Sequence, residues 1–190
     1  MRLSTPRIPP LSDAALTPEQ RDALMRATVP GRAPLNIFRT FARVPEALNV
    51  FVPWGGYILS KKNSLNARQR EIVILRIGYL CRSGYEWTQH EAIGLRAGIT
   101  PDEISAIKTG ADAPLWSPAD AALIRACDDL HANQFVSDKS WSDLKVHFSE
   151  RQCMDCVLTA GQYTLVSMLL NTLGVQLDEG QTLDPDLDAR

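Results

Sequence analysis

Apolar residues recur along this chain at three- and four-residue spacing, and no stretch alternates apolar and polar positions over a convincing length. That periodicity is helical, and it predicts an all-α fold. The helix starts share one grammar. Thr17-Pro18-Glu19-Gln20, Thr100-Pro101-Asp102-Glu103 and Ser117-Pro118-Ala119-Asp120 each place a hydroxyl at the cap and a proline in the first turn. The fourth residue can close back on the cap. Ser149-Glu150-Arg151-Gln152 repeats the pattern without the proline, and Asn66 caps another start.

Between these signals the pattern predicts two short helices, about 35–43 and 46–60, separated at Pro45, with Pro53-Trp54-Gly55-Gly56 set to kink or break the second. Helices at about 67–81, 84–97, 101–108, 118–134, 138–147 and 150–173 follow. The helix after Asn66 carries Ile72, Val73, Ile74, Leu75, Ile77, Tyr79 and Leu80 on nearly every side, which marks a central buried element. Arg82-Ser83-Gly84 reads as a turn, and Gly98 as a left-handed cap. The organisation expected is an arm and first helix over residues 1–30, a helical domain over 31–177 and a loose acidic tail over 178–190. The Pro-rich residues 1–16 should form an extended arm, either mobile or lying on a neighbouring subunit.

Composition narrows the class. With 45% hydrophobic residues among 190, the chain can bury a real core. A net charge of −2 with scattered basic residues argues against a nucleic-acid partner. No apolar run in the sequence suggests a membrane span, and the N-terminus lacks the apolar core of a secretory signal, so a soluble, cytoplasmic protein is expected. Cys81, Cys127, Cys153 and Cys156 are then expected as free thiols.

The candidate chemistry lies between Asn66 and Gly98. Glu86 and His90 stand four apart, hence on one helix face, beside Tyr85 and Trp87. If the helices flanking Ser83 fold back antiparallel, Glu71 lies ~16 Å before the turn and His90 ~12 Å after it, within one helical turn of each other. Two acids and a histidine in a partly apolar pocket shift one another's pKa values and can act as general acid or base. The bland alternative is a solvated Arg70-Glu71 pair, a surface Glu86–His90 pair worth a few tenths of a kcal/mol, and packing roles for both aromatics. Cys153-Met154-Asp155-Cys156 is a second motif, but Ala160 stands where a histidine would complete it, and packing cysteines are expected. His131 and His147 lack a ligand motif, Trp116 and Trp141 read as packing anchors, and no phosphate loop or nucleophile elbow is present.

Arg70-Glu71-Ile72-Val73-Ile74-Leu75, Gly84-Tyr85-Glu86-Trp87, His90, and Ala97-Gly98-Ile99-Thr100 followed by Asp102-Glu103-Ile104 together resemble the carboxymuconolactone decarboxylase family. That family shares its fold with the alkylhydroperoxidase D proteins. A weaker likeness extends through Tyr163 to Asn171-Thr172-Leu173-Gly174-Val175. The resemblance implies an alkylhydroperoxidase D-like helical bundle, with Glu71, Glu86 and His90 as catalytic residues. The peroxidase branch carries a glutamate, a Cys-x-x-Cys and a histidine; here Glu71 and His90 hold their places, while Ser83 and Glu86 stand at the cysteine positions. Without those thiols, the chain looks like the cysteine-free, decarboxylase-like branch.

The implied function is acid–base chemistry on a small organic acid or lactone, without cofactor or metal. Arg82 or Arg76 would bind a carboxylate, and Tyr85, Trp87 and Ser83 would line the pocket. The alternatives are a hydroperoxidase using Cys153/Cys156 or Cys81, and a non-catalytic ligand-binding oligomer. By resemblance the protein is expected to be a homo-oligomer, trimeric or hexameric or else dimeric, with pockets near the subunit contacts.

Overall fold

A computed structural model describes residues 1–187. Its elements are α1 (Pro18–Ala27), α2 (Asn36–Phe41), α3 (Pro45–Leu59), α4 (Ala67–Leu80), α5 (Gly84–Arg96), α6 (Pro101–Thr109), α7 (Pro118–Asn133), α8 (Asp138–His147) and α9 (Glu150–Leu173). The described residues contain no strand, so the protein is all-α.

The start signals act as their chemistry requires. Full capping boxes form at Thr17/Gln20, Asn66/Gln69, Thr100/Glu103 and Ser149/Gln152, and Ser117 accepts from the Asp120 backbone. Each cap stabilises its helix by about 1 kcal/mol. α4 is the central element, with Ile72, Val73, Ile74, Leu75 and Ile77 fully buried. It packs against α5, α7 and α9, with α6 crossing nearby. Arg68 braces the outer end of α4 by bridging Glu103 and Asp120.

Three expectations are corrected. α3 runs unbroken through Pro53. A proline removes one backbone donor from its helix, and here Pro53 lies on an exposed face, where water can serve the freed carbonyl. The N-terminal arm packs on its own chain: the Arg7 and Ile8 amides donate to the Leu173 carbonyl at 2.9 and 3.2 Å. They thereby satisfy an orphan acceptor at the end of α9. The tail is also tied down. Lys108 binds Asp184 at 2.6 Å and Asp186 at 2.8 Å, and the N-terminal amine donates to the Leu187 carbonyl at 2.6 Å. The last three residues of the expected tail lie outside the described residues.

α9 does reach the length and composition of a membrane span, contrary to the sequence expectation; 56% of its most apolar window is buried inside the fold, as in a core helix. Inward-facing polar residues interrupt it. Asp155, 1% exposed, accepts from the Tyr57 hydroxyl at 2.6 Å and from the Ser64 amide and hydroxyl at 2.7 and 2.5 Å. The residue inside the Cys-x-x-Cys motif that makes polar contacts is therefore the aspartate, which pins the α3–α4 loop to α9.

Candidate active site

α4 and α5 fold back on each other about Arg82-Ser83, where Arg82 takes a left-handed conformation with φ of 50°. Small residues let the pair approach: a methyl added at Gly78 would meet Glu86 Cγ at 3.3 Å, and one at Gly94 would meet Leu75 Cδ1 at 3.1 Å. Asn171 of α9 holds the turn by donating to the Cys81 carbonyl at 2.9 Å.

This crossing brings the three ionisable groups together. His90 Nδ1 stands 2.7 Å from Glu71 Oε2, and His90 Nε2 stands 3.1 Å from Glu86 Oε1. All three residues are buried, at 2% exposure for Glu71, 4% for Glu86 and 7% for His90. Burial pushes the Glu86 carboxyl up to about 7, a rise that His90 opposes and Glu71 reinforces. For His90 burial alone would lower the value, but the two carboxylates outweigh it and hold the imidazole above its ordinary range. Both ring nitrogens are taken by carboxylates, which leaves neither for a metal. Among the described residues, no group of three His, Cys, Asp or Glu side chains is arranged to hold one.

Glu86 and His90 open on a cavity of about 500 Å³. Its wall is largely apolar: Phe38 of α2, Phe51 and Val52 of α3, Ile93 of α5, and Val166 of α9. Tyr163 of α9 stands edge-on to the imidazole, with ring centroids 4.9 Å apart. Burial among the two acids pushes the Tyr163 phenol well above its ordinary range, so it stays a neutral O–H. Glu71 sits behind the imidazole and does not line the cavity.

The remaining sequence candidates divide. Tyr85 lines the cavity, but its hydroxyl donates to Asp178 at 2.6 Å. Trp87 is fully buried beside Tyr79 and under Lys108, on the far side of α5 from the cavity. One residue along a helix turns ~100°, which carries Trp87 away from the face that holds Glu86. Ser83 is fully buried with its hydroxyl unpartnered, and it does not line the cavity. Arg82 is exposed at the turn. Arg76 binds Asp128 at 2.6 Å and the Ile107 carbonyl at 2.6 Å. Neither arginine reaches the cavity. Cys127, Cys153 and Cys156 are fully buried and Cys81 partly so. Burial raises the Cys81 and Cys153 thiols, and contact with Cys156 together with burial raises Cys127. None of the four lines the cavity. His131 Nδ1 lies 3.7 Å from Cys81 Sγ, His147 is exposed, and the Trp116 indole donates to the Gly110 carbonyl.

The sequence reading overlooked Gln162 and did not assign Tyr163 to the site. Gln162 carries one legible signal, a polar residue at an inward position of an apolar helix.

An all-α bundle whose central helix pair buries a Glu–His–Glu chain against a cavity defines the class. Residues 45–129 match the model of the carboxymuconolactone decarboxylase family. Solved structures share the fold. An alkylhydroperoxidase AhpD core, an uncharacterized peroxidase-related protein from Ralstonia eutropha JMP134, has a TM-score of 0.78 at 19% identity, over 92% of this chain and 93% of that one. A peroxidase-related protein from Silicibacter sp. TM1040 has a TM-score of 0.75 at 15% identity, over 94% and 92%. The debrominase Bmp8 has a TM-score of 0.74 at 12% identity, over 90% and 92%. At these identities the likeness concerns the fold. A search of curated proteins gives no match.

Proposed function

We propose that this protein is an acid–base enzyme of the decarboxylase-like branch, acting on a small organic acid or lactone in the cavity beside Glu86. The observation that carries the reading is the imidazole of His90 held between two buried carboxylates, one of which faces the cavity. Glu86, with a pKa of about 7, holds a proton half the time near neutrality, which suits a group that must both give and take one. When a carboxyl group leaves as carbon dioxide, or ionised Glu86 takes a carbon-bound proton, beside a carbonyl, the electron pair left on carbon delocalises into that carbonyl. A proton from Glu86 then quenches the carbanion. His90 passes a replacement to Glu86, and Glu71 holds the ring in place. A hydroperoxidase would need a thiolate at the cavity, and Ser83 and Glu86 occupy the places where that branch carries cysteine.

The test is solvent-deuterium incorporation, followed by NMR over a panel of small lactones and keto acids. Exchange or turnover is expected with at least one, falling ~10²–10⁴-fold in His90→Gln. Activity that survives His90→Gln and is abolished by thiol alkylation would overturn the reading in favour of the peroxidase branch.

The same proposal includes self-association. Met154, Val157, Leu158, Leu165 and Met168 form an exposed apolar stripe along α9, continued by Val50 and Trp54 of α3. A second copy of this chain is the proposed occupant of that face.

A further inference from the structure

The cavity's polar groups can be accounted for one by one. The Tyr85 hydroxyl is taken by Asp178, and the Gln89 amide by Asp178 at 2.7 Å and Gln181 at 3.3 Å. The His90 nitrogens and one Glu86 oxygen are taken by each other and by Glu71. Apart from the Gln89 side-chain carbonyl, which is an acceptor only, what remains lies on α9 and on Glu86. The Gln162 amide and the Tyr163 hydroxyl have no hydrogen-bond partner among the described residues, although both residues line the cavity and are only 5% exposed. Glu86 Oε2 is likewise unpaired. Their polar ends open on the cavity, where water or a ligand oxygen can meet them.

Charge adds a second constraint. No lysine or arginine lines the cavity, while a buried carboxyl group does. The guanidinium that Tyr163 feels belongs to Arg70, which turns instead to the Leu65 and Leu59 carbonyls at 2.7 and 3.3 Å. A ligand carboxylate would lose its water here, and the one cationic group at the wall, the His90 imidazole, is already held between Glu71 and Glu86.

We infer that the cavity takes a neutral, largely apolar carbonyl compound of the lactone or ketone type, and that Gln162 and Tyr163 bind its carbonyl oxygen. This rests on the acid–base reading and narrows it to the uncharged half of its substrate class. It makes Gln162 and Tyr163 binding residues that set specificity, presenting the atom beside the carbonyl to Glu86. Apolar walls from α2 and α3 receive the rest of the molecule.

The experiment measures binding, which does not require turnover. Coumarin, a neutral lactone, is compared by calorimetry or ligand-observed NMR with 2H-chromene, which lacks the carbonyl, and with coumarin-3-carboxylate, which adds a charge. Coumarin is expected to bind roughly three- to tenfold tighter than 2H-chromene, as one or two neutral hydrogen bonds allow. The carboxylate should bind at least about tenfold weaker than coumarin. Gln162→Leu and Tyr163→Phe should each move the coumarin-to-chromene ratio toward one, and Tyr163→Phe conserves the ring packing should Gln162→Leu fail to fold. The inference is overturned if the carboxylate binds as tightly as coumarin, if neither folded variant moves the ratio, or if no probe binds. No deuterium exchange in the native protein, with its binding ratios as expected, would sink the catalytic reading alone; exchange with a native coumarin-to-chromene ratio near one would sink this inference alone.

Discussion

At Glu86 the fold works against ionisation, and that has a consequence for stability. Its native pKa of about 7 lies above the ordinary 4.5, so the folded state holds this proton more tightly than the unfolded chain does. The stability from Glu86 is therefore fully present below about pH 4.5 and is lost as pH rises to about 7. His90 is raised as well, so its contribution is present below its ordinary 6.5 and is lost as pH climbs through its folded value. Both slopes have the same sign. The melting temperature should fall between about pH 5 and about pH 8, and Glu86→Gln should flatten the lower part of that fall and melt higher than the native protein at the alkaline end. A Glu86→Gln protein whose melting temperature tracks the native one at every pH would sink the assignment. His90→Ala should behave oppositely. It leaves two buried carboxylates with no cation between them, at a cost of about 3–5 kcal/mol by chemical denaturation.

Among the elements, the α4–α5 crossing sets the site geometry, and Gly78 sets how closely the helices approach. A methyl there would meet Glu86 Cγ at 3.3 Å, so Glu86 must give way. Gly78→Ala should cost about 1–3 kcal/mol and weaken the Glu86–His90 contact, seen as a reduced pH dependence of melting. Unchanged stability and pH dependence would show that the crossing tolerates the methyl. This crossing was legible in the sequence because its signals are local. The cap at Asn66, the all-round apolar run of α4, the turn at Arg82-Ser83-Gly84 and the i,i+4 spacing of Glu86 and His90 each act within a few residues. What stayed hidden depends on distant packing. Nothing near Gln162 or Tyr163 says that α9 meets the imidazole, and nothing near Asp178 says that it accepts from the Asn36 amide, Tyr85 and Gln89. Arg76 and Arg82 were chosen for charge and proximity in sequence, but a helix turn points one toward α7 and the other into solvent. Pro53 misled because proline disfavours helix interiors on average, whereas one exposed position tolerates it.

Across the whole molecule, the question is what covers the outer face of α9 and α3. Met168 is 56% exposed, Met154 62%, Leu165 43%, Val50 71% and Trp54 40%, and the last three line an apolar groove of about 610 Å³. Residues 157 and 158 lie three and four beyond 154, residue 165 seven beyond 158 and residue 168 three beyond 165, so all five share one helix face, which carries no charge between them. A continuous apolar face of this kind is unusual on a free monomer, and a second copy supplies a matching one by symmetry. The groove shares Phe51 and Gln162 with the cavity beside Glu86, so covering it would also close one side of the candidate active site. Light scattering after size exclusion should therefore give a whole-number multiple of 21.0 kDa, with two, three or six copies as the symmetric outcomes. Leu165→Glu with Met168→Glu should shift the mass toward one copy with the helical circular dichroism unchanged, because both side chains point outward and support no internal packing. A native protein that runs at 21.0 kDa at every concentration, with that pair of substitutions altering nothing, would leave the stripe without its proposed occupant. Should the pair dissociate the assembly and also weaken coumarin binding, Phe51 and Gln162 are the residues through which the interface reaches the ligand.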